Sequence, residues 1–328
     1  VTHTYSGNDT DGTSTNNQTS LGMTPDLVWV KCRNHATPSH YIVDKVRGDE
    51  KYLSSNNTNA EATDSNTFEL VSGGFNLGGG NGWTNLNGRT YVAWCWKAGT
   101  AFTNDASATS IGDIDSSGSF NNTSGFSICS YSGSGSSGDT IKHGLNTAPK
   151  IIIIKKRSAT DNWTMLNTNI SLNTHLHLNT TDAAVSDPMF NNTAPTTSVF
   201  TLDSDGQVNE SGNTFIAYCF SEVQGYSKFG SYTGNGNTDG PFVYTGFRPA
   251  FVLQKNASAT QGWQLQDNKR DGFNGANDLL QPHDSAAESG VNRIDILSNG
   301  FKVITTDAGQ NSSGATYIYL AFAEAPFV

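Results

Sequence analysis

The chain has 328 residues, with 19 Lys and Arg against 29 Asp and Glu, a net charge of −10 and only 15% charged residues, where an average globular protein carries about 25%. That length allows two or three domains. The acidic balance, without a basic run, argues against nucleic acid as a partner, since phosphate binding needs clustered Lys and Arg, and no stretch approaches the ~20 apolar residues of a bilayer-spanning helix.

Solubility has to come from Asn, Thr, Ser and Gly. No signal peptide opens the chain at Val1. The expectation is that the chain is cut from something longer or processed, so this carries little weight.

Three tandem repeats organise the sequence, each with the same landmarks in the same order. Repeat 1, residues 1–98, opens with Tyr5-Ser6-Gly7, crosses an apolar run from Pro25 to Lys31 and closes on Gly88-Arg89-Thr90-Tyr91-Val92. Ser72-Gly73-Gly74 marks a turn inside it. A polar stretch from Ala98 to Ser124 follows, either a flexible connector or an extra hairpin of the next repeat. Repeat 2, residues 99–223, carries Tyr131-Ser132-Gly133, the run Pro149 to Lys155 and Gly212-Asn213-Thr214-Phe215-Ile216. Phe126–Tyr131 alternates apolar and polar residues as a half-buried strand does. Lys150–Lys155 is continuously apolar between its ends, which predicts a strand covered on both faces. Ser204-Asp205-Gly206 reads as a hairpin turn. Repeat 3, residues 224–328, carries Tyr232-Thr233-Gly234, the run Pro249 to Lys255 and Gly314-Ala315-Thr316-Tyr317-Ile318, with a turn at Ser298-Asn299-Gly300 and a short helical turn expected near Asn277–Leu280. A repeat this long is a domain and not a solenoid rung. The predicted fold is all-β, with three tandem antiparallel β-sandwich, jelly-roll-like domains in an elongated row. Little motion is expected at the short aromatic link between repeats 2 and 3, and more at the first junction.

Cys95 and Cys219 fall at one repeat position, where repeat 3 has Ala321. A site that accepts Cys or Ala is a small core position, so the four cysteines are expected to be free thiols. No CxxC spacing suggests zinc or redox chemistry. Trp163 and Trp263 each lie eight residues beyond the lysine of their repeat, where repeat 1 has His40 and Tyr41. Their expected role is core packing. Stacking against a sugar ring is the functional alternative, with Tyr226 as a third candidate. Asp44 with Arg47, and Asp267 with Arg270, read as structural ion pairs, while repeat 2 has Asn167 and Ile170 instead. An exposed pair contributes only ~0–1 kcal/mol, which would let repeat 2 do without it. His175 and His177 read as a paired core or solvent-side motif. Gly133-Ser-Gly-Ser-Ser-Gly138 lacks the helix that a dinucleotide fingerprint needs. Asp113/Asp115 and Asp203/Asp205 sit at predicted turns and are short of ligands for calcium. No catalytic residue, cofactor or metal ligand is assigned, and no enzyme is expected.

The stretch Tyr226–Val252, together with Asn213–Glu222, resembles a family of structural proteins of tailed bacteriophages from marine and aquatic bacteria, including cyanobacteria. The resemblance covers repeats 2 and 3 closely, about two thirds of the chain. Repeat 1 departs most: it lacks the Trp and carries a Gly78–Gly82 loop. What the resemblance implies is a non-enzymatic virion protein, a tail fibre or a capsid appendage or decoration, on the particle surface beside other virion proteins. It also implies, less directly, contact with a host-surface glycan or receptor. Phage fibres are commonly homotrimers, so a trimer is the favoured oligomer. The alternative is a lectin-like array of carbohydrate-binding modules.

Overall fold

In every repeat four antiparallel strands take one spatial order: opening strand, closing strand, Pro-to-Lys strand, and the strand after it. In repeat 1 these are Thr2–Ser6, Thr90–Trp96, Leu27–Cys32 and Tyr41–Asp44, extended by Lys51–Leu53 and Ala62–Thr63. In repeat 2 they are Phe126–Ser132, Thr214–Phe220, Ile151–Lys156 and Trp163–Asn167, with Leu176–His177 beyond. In repeat 3 they are Ser227–Thr233, Thr316–Phe322, Phe251–Asn256 and Gln264–Asp267. This is a computed structural model, and it describes residues 1–10, 14–65, 68–79, 82–270, 274 and 278–324.

The sequence landmarks meet where the opening and closing strands pair. Tyr5 lies opposite Tyr91, Tyr131 opposite Phe215 and Tyr232 opposite Tyr317. The three ring pairs are stacked at 5.2, 5.2 and 5.0 Å. The glycine two residues after each opening tyrosine lets another chain segment pass close by. A Cβ on Gly7, Gly133 or Gly234 would lie 2.2–2.3 Å from a backbone oxygen of Leu86, Glu210 or Ser312. The glycine of each Gly-x-Thr holds φ between +77° and +80°, a region that side chains with a Cβ rarely enter.

A smaller antiparallel layer covers each sheet. It is formed by Asn16–Gln18, Gly74–Leu77 and Phe68–Val71 in repeat 1, by Thr140–Lys142 and Val199–Thr201 in repeat 2, and by Phe242–Tyr244, Gly300–Val303 and Ile294–Leu297 in repeat 3. The protein is all-β, and each repeat is a two-layer sandwich with its own core. Cys95, Cys219 and Ala321 lie in these outer cores, and all four cysteines are free and buried.

The large sheets are covered on both faces. Alternate residues of the run predicted to be buried on both sides separate cleanly: Ile152 and Ile154 enter the sandwich core of repeat 2, while Ile151 and Ile153 point the other way. There they join Trp29, Trp94 and Trp96 of repeat 1 and Phe251, Leu253 and Phe322 of repeat 3 in a fourth, axial core. This corrects the expected elongated row, because the three inner faces are buried against one another.

Three local expectations also change. The Ala98–Ser124 stretch is the hairpin alternative: Thr100–Asn104 pairs with Ser116–Asn121, which extends the sheet of repeat 2 beside Phe126–Ser132. Asp26 ties the junction down by accepting hydrogen bonds from the Ala98 and Gly99 N–H groups at 2.9 and 2.8 Å, so this junction is not a loose one. Asp205-Gly206 opens a one-turn helix, Gly206–Asn209, in place of a hairpin, because the Asp205 carboxylate caps the Gln207 N–H. Of the helical turn expected near Asn277–Leu280, Asn277 lies outside the described residues, and Asp278–Leu279 is a short strand.

Candidate functional site

The side chains that the repeats share converge on the seams of the ring. In each Pro-to-Lys strand the lysine is the last residue but one. Lys155 Nζ donates to Lys156 O and, across a seam, to Thr58 O of repeat 1. Lys255 does the same to Asn256 O and to Thr181 O of repeat 2. Lys31 reaches Cys32 O and Ser285 O of repeat 3, which closes the cycle. Burial lowers each of the three to about 8, since a dehydrated ammonium is disfavoured. A lysine near 8 is a candidate nucleophile where it opens on a cleft. These three are buried at seams and staple one repeat to the next.

Trp163 and Trp263 complete the same staple. Trp163 Nε1 donates to Ser54 O across the seam between repeats 2 and 1, at 2.9 Å. Trp263 Nε1 donates to His177 O across the seam between repeats 3 and 2, at 2.9 Å. In repeat 1 the smaller His40 takes this place. Its Nδ1 accepts from Trp29 Nε1 at 2.8 Å, which leaves Nε2–H to donate to Gln281 O at 3.1 Å. Burial holds His40 well below the ordinary histidine range. Trp163 is 1% exposed, Trp263 0% and Tyr226 5%. None of the three offers a ring face to a sugar, so the stacking alternative does not fit these residues.

The Asp–Arg pairs belong to the seams as well. Arg47 Nε pairs with Asp44, and Tyr218 of repeat 2 donates to the same carboxylate at 2.7 Å. Arg270 Nε pairs with Asp267 at 2.7 Å, and Trp94 of repeat 1 donates to it at 3.1 Å. These side chains have no exposure, so the pairs are structural, and the small value of an exposed pair does not apply to them. Glu61 and Glu288 extend the networks to Arg157 and Arg33 across the same two seams.

His175 and His177 lie side by side with their Nε2 atoms 3.2 Å apart. His175 Nδ1 faces Asp187 O at 3.0 Å, and His177 Nε2 faces Gln207 Oε1 at 2.9 Å. Desolvation first, and His175 second, lower His177. Burial thus disfavours a charge on His177, and the two rings form a buried hydrogen-bonded unit. The Asp clusters serve local turns: Asp113 accepts from Thr140, Asp115 from the Ala106 N–H and Asp203 from Ser137. Among the described residues no group of three or more His, Cys, Asp or Glu is placed to hold a metal.

One site was not singled out from the sequence. Phe242 and Tyr244 are the exposed large apolar side chains among the described residues, 46% and 64% exposed. They sit on the edge strand of the outer layer of repeat 3, with Val243 between them turned into the core. Tyr244 walls a cleft of about 720 Å³, together with Glu222, Gln224, Lys228, Thr245 and Gly246. Glu222 accepts from the Phe229 N–H at 2.9 Å and pairs with Lys228 at 3.2 Å.

One family model, described as Domain of unknown function (DUF7483), matches residues 1–326. The chain belongs to this family. No curated protein and no solved structure matches it. The match spans all three repeats, so the family unit is the ring and not the single repeat.

Within this family fold, the residues that weld the ring stand out in the sequence as repeat landmarks and core positions, and the exposed aromatic pair does not. Phe-Val-Tyr alternates in polarity too weakly for its outward face to be legible. The available signal was comparative: the corresponding strand of repeat 2 carries Thr140 and Lys142 where repeat 3 carries Phe242 and Tyr244.

Proposed function

We propose that this chain is a non-enzymatic structural protein of a tailed-bacteriophage virion, a tail fibre or a capsid appendage or decoration, exposed on the particle surface and engaged in attachment to the host. The reading rests on the resemblance of Tyr226–Val252 and Asn213–Glu222 to such proteins. The observation that carries it in the structure is the destination of the shared landmarks. The lysines, the two tryptophans and His40 are all spent on joining the repeats. A molecule whose repeated residues make seams is suited to bearing load. Its Asn-, Thr- and Gly-rich exterior gives a surface with little charge. Its partners on this reading are other virion proteins and further copies of itself, with a trimer favoured. No helix among the described residues is long and apolar enough to cross a membrane.

The test is a density map of intact particles that encode the chain, with mass spectrometry of the purified particles. Density for three sandwiches around one axis, on the head or the tail, is the expected result. Particles that lack the chain would overturn the reading.

A second reading, a lectin-like module array, is favoured by the exposed Phe242 and Tyr244. In that form it concerns repeat 3 alone, because the corresponding strand of repeat 2 bears no aromatic side chain.

A further inference from the structure

Repeat 2 shows why repeat 3 has a cleft. In repeat 2 the hairpin Thr100–Asn104 and Ser116–Asn121 pairs along the opening strand, and Ile114 bridges to Ile141 of the outer layer. Its Phe102 and Phe120 close over Gly144, where a Cβ would stand 2.9 and 3.1 Å from the two rings. Gly246 is the counterpart of Gly144: each follows its outer strand by two residues, with φ of +86° and +83°. Repeat 3 has no such hairpin among its described residues. Its opening strand, Ser227–Thr233, is the last of its sheet, and Gly246 is exposed in the open cleft.

An open sheet edge invites another strand, but this edge is blunted. The Phe229 N–H is already taken by the Glu222 carboxylate, and Lys228 stands beside it. What remains is an aromatic platform above a polar pocket. Phe242 and Tyr244 lie on one strand face, about 6.8 Å apart along the chain. Beneath Tyr244 are an ion pair whose charges offset each other, Glu222 with Lys228, and the exposed amide of Gln224. Flat rings present an apolar face with little conformational entropy to lose, and the amide and carboxylate supply acceptors and donors for hydroxyl groups.

We propose that this cleft of repeat 3 binds neutral pyranose units of a surface glycan, with Tyr244 stacking on one unit and Phe242 on its neighbour. The proposal deepens the attachment reading and rests on it only for biological purpose.

The experiment titrates the full chain with the β-1,4-linked tetramer of N-acetylglucosamine, with maltotetraose and with a galactose disaccharide. The readouts are saturation-transfer NMR and calorimetry, on wild type, Phe242→Ala and Tyr244→Ala. At least one saccharide should bind at millimolar affinity or better. Tyr244→Ala should lose about tenfold or more, and Phe242→Ala less. The melting temperature should not move, because both rings are exposed. Binding that survives unchanged in Tyr244→Ala overturns the site, as does a lack of binding by every saccharide. A concentration-dependent dimer of wild type that Tyr244→Ala abolishes, without sugar binding, would make the edge a strand-docking surface and overturn it too. Each of these failures leaves the particle map, and so the virion reading, untouched.

Discussion

Between repeats 2 and 3, Ala184 meets Ala257. At the matching places, Glu61 meets Arg157 between repeats 1 and 2, and Glu288 meets Arg33 between repeats 3 and 1. The backbone is the same at all three: the N–H of Glu61, Ala184 or Glu288 donates to the O of Arg157, Ala257 or Arg33, at 2.8, 2.9 and 2.7 Å. The side-chain chemistry is opposite, and it changes in sets. Where repeats 1 and 3 carry Asp–Arg, the facing strand supplies a donor, Tyr218 or Trp94. Where repeat 2 carries Asn167 and Ile170, the position that the same cycle brings opposite is Leu320, and Leu320 and Ile170 both pack into the axial core. Repeat 2 does without the ion pair because its partner makes no use of one. A buried pair is not an asset in itself, since desolvation offsets much of its attraction.

Truncations at the staple should have the largest effects. Trp163→Ala and Trp263→Ala each empty the place of a fully buried indole and leave a carbonyl, Ser54 O or His177 O, without its donor. Each should cost about 3–5 kcal/mol, read as a fall in the urea midpoint. The two costs should be similar although one seam is ionic and the other apolar, because the indole lies on the part of the staple that the seams share. A large difference would mean that the chemistry around the staple governs its strength.

Arg47→Ala should cost nearly as much, about 3–5 kcal/mol, because it strands the Asp44 carboxylate in the interior. Ile170→Ala, at the matching place of the apolar seam, removes partly buried apolar surface and should cost less, about 1–3 kcal/mol by area. Equal losses in chemical denaturation would contradict the contrast between the two seams.

Acid should act on the buried histidines. His143 is lowered to about 4 by burial, with its bond to Thr196 O opposing, and His40 lies well below its ordinary value at the seam between repeats 3 and 1. A depressed histidine is neutral in the folded chain while the unfolded chain binds its proton. The stability it contributes is therefore complete above pH 6.5 and declines as pH falls toward the folded value. His143 alone should remove about 3 kcal/mol between pH 6.5 and 4, and His143→Gln should flatten the midpoint-versus-pH curve by that amount. Asp278, raised to about 6 by burial and by Glu288, runs the other way and offsets part of the loss. A wild-type curve that His143→Gln leaves unchanged between pH 7 and 4.5 would show that His143 is hydrated in the folded chain.

Strand positions and landmarks were legible because their causes lie within each repeat and so recur with it. Gly7, Gly133 and Gly234 recur where a chain passes too close for a Cβ, and the opening tyrosines recur to stack on the closing strand. Ring closure was not legible. The acceptors of the staple lysines are backbone carbonyls of Thr58, Thr181 and Ser285, and a carbonyl leaves no mark on a sequence. The lysines themselves held a clue, since a charge at the end of a run buried on both faces has to find acceptors outside its own sheet. Tyr226, a candidate for stacking on a sugar as well as part of the aromatic link between repeats 2 and 3, lies in the axial core. The exposed ring, Tyr244, stands in an open cleft because the described residues of repeat 3 form no counterpart of the repeat 2 hairpin, a tertiary difference that composition does not reveal.

The smallest expected effect is the sharpest test of the seams. Asp44→Asn, Arg47→Ile, Glu61→Ala, Arg157→Ala and Tyr218→Leu together rebuild the seam between repeats 1 and 2 with the residues of the seam between repeats 2 and 3. Made alone, Arg47→Ile strands the Asp44 carboxylate as Arg47→Ala does, and Asp44→Asn takes the buried counter-charge from Arg47. Made as a set, they remove all the charges of one network together: Arg47 and Arg157 go with the Glu61 carboxylate they share, and the Tyr218 hydroxyl goes with the Asp44 carboxylate it serves, which leaves only the Ile42 and Lys51 carbonyls short of a donor. Replacing whole buried ionic clusters by apolar residues is often neutral or stabilising, so the fivefold variant should unfold within about 1–2 kcal/mol of wild type. It should also be less sensitive to salt, since fewer partly exposed charges such as Arg157 remain to be screened. A fivefold variant that falls as far as Arg47→Ala would mean that each seam is fitted to its own surroundings, and that the shared backbone does not make the two chemistries interchangeable.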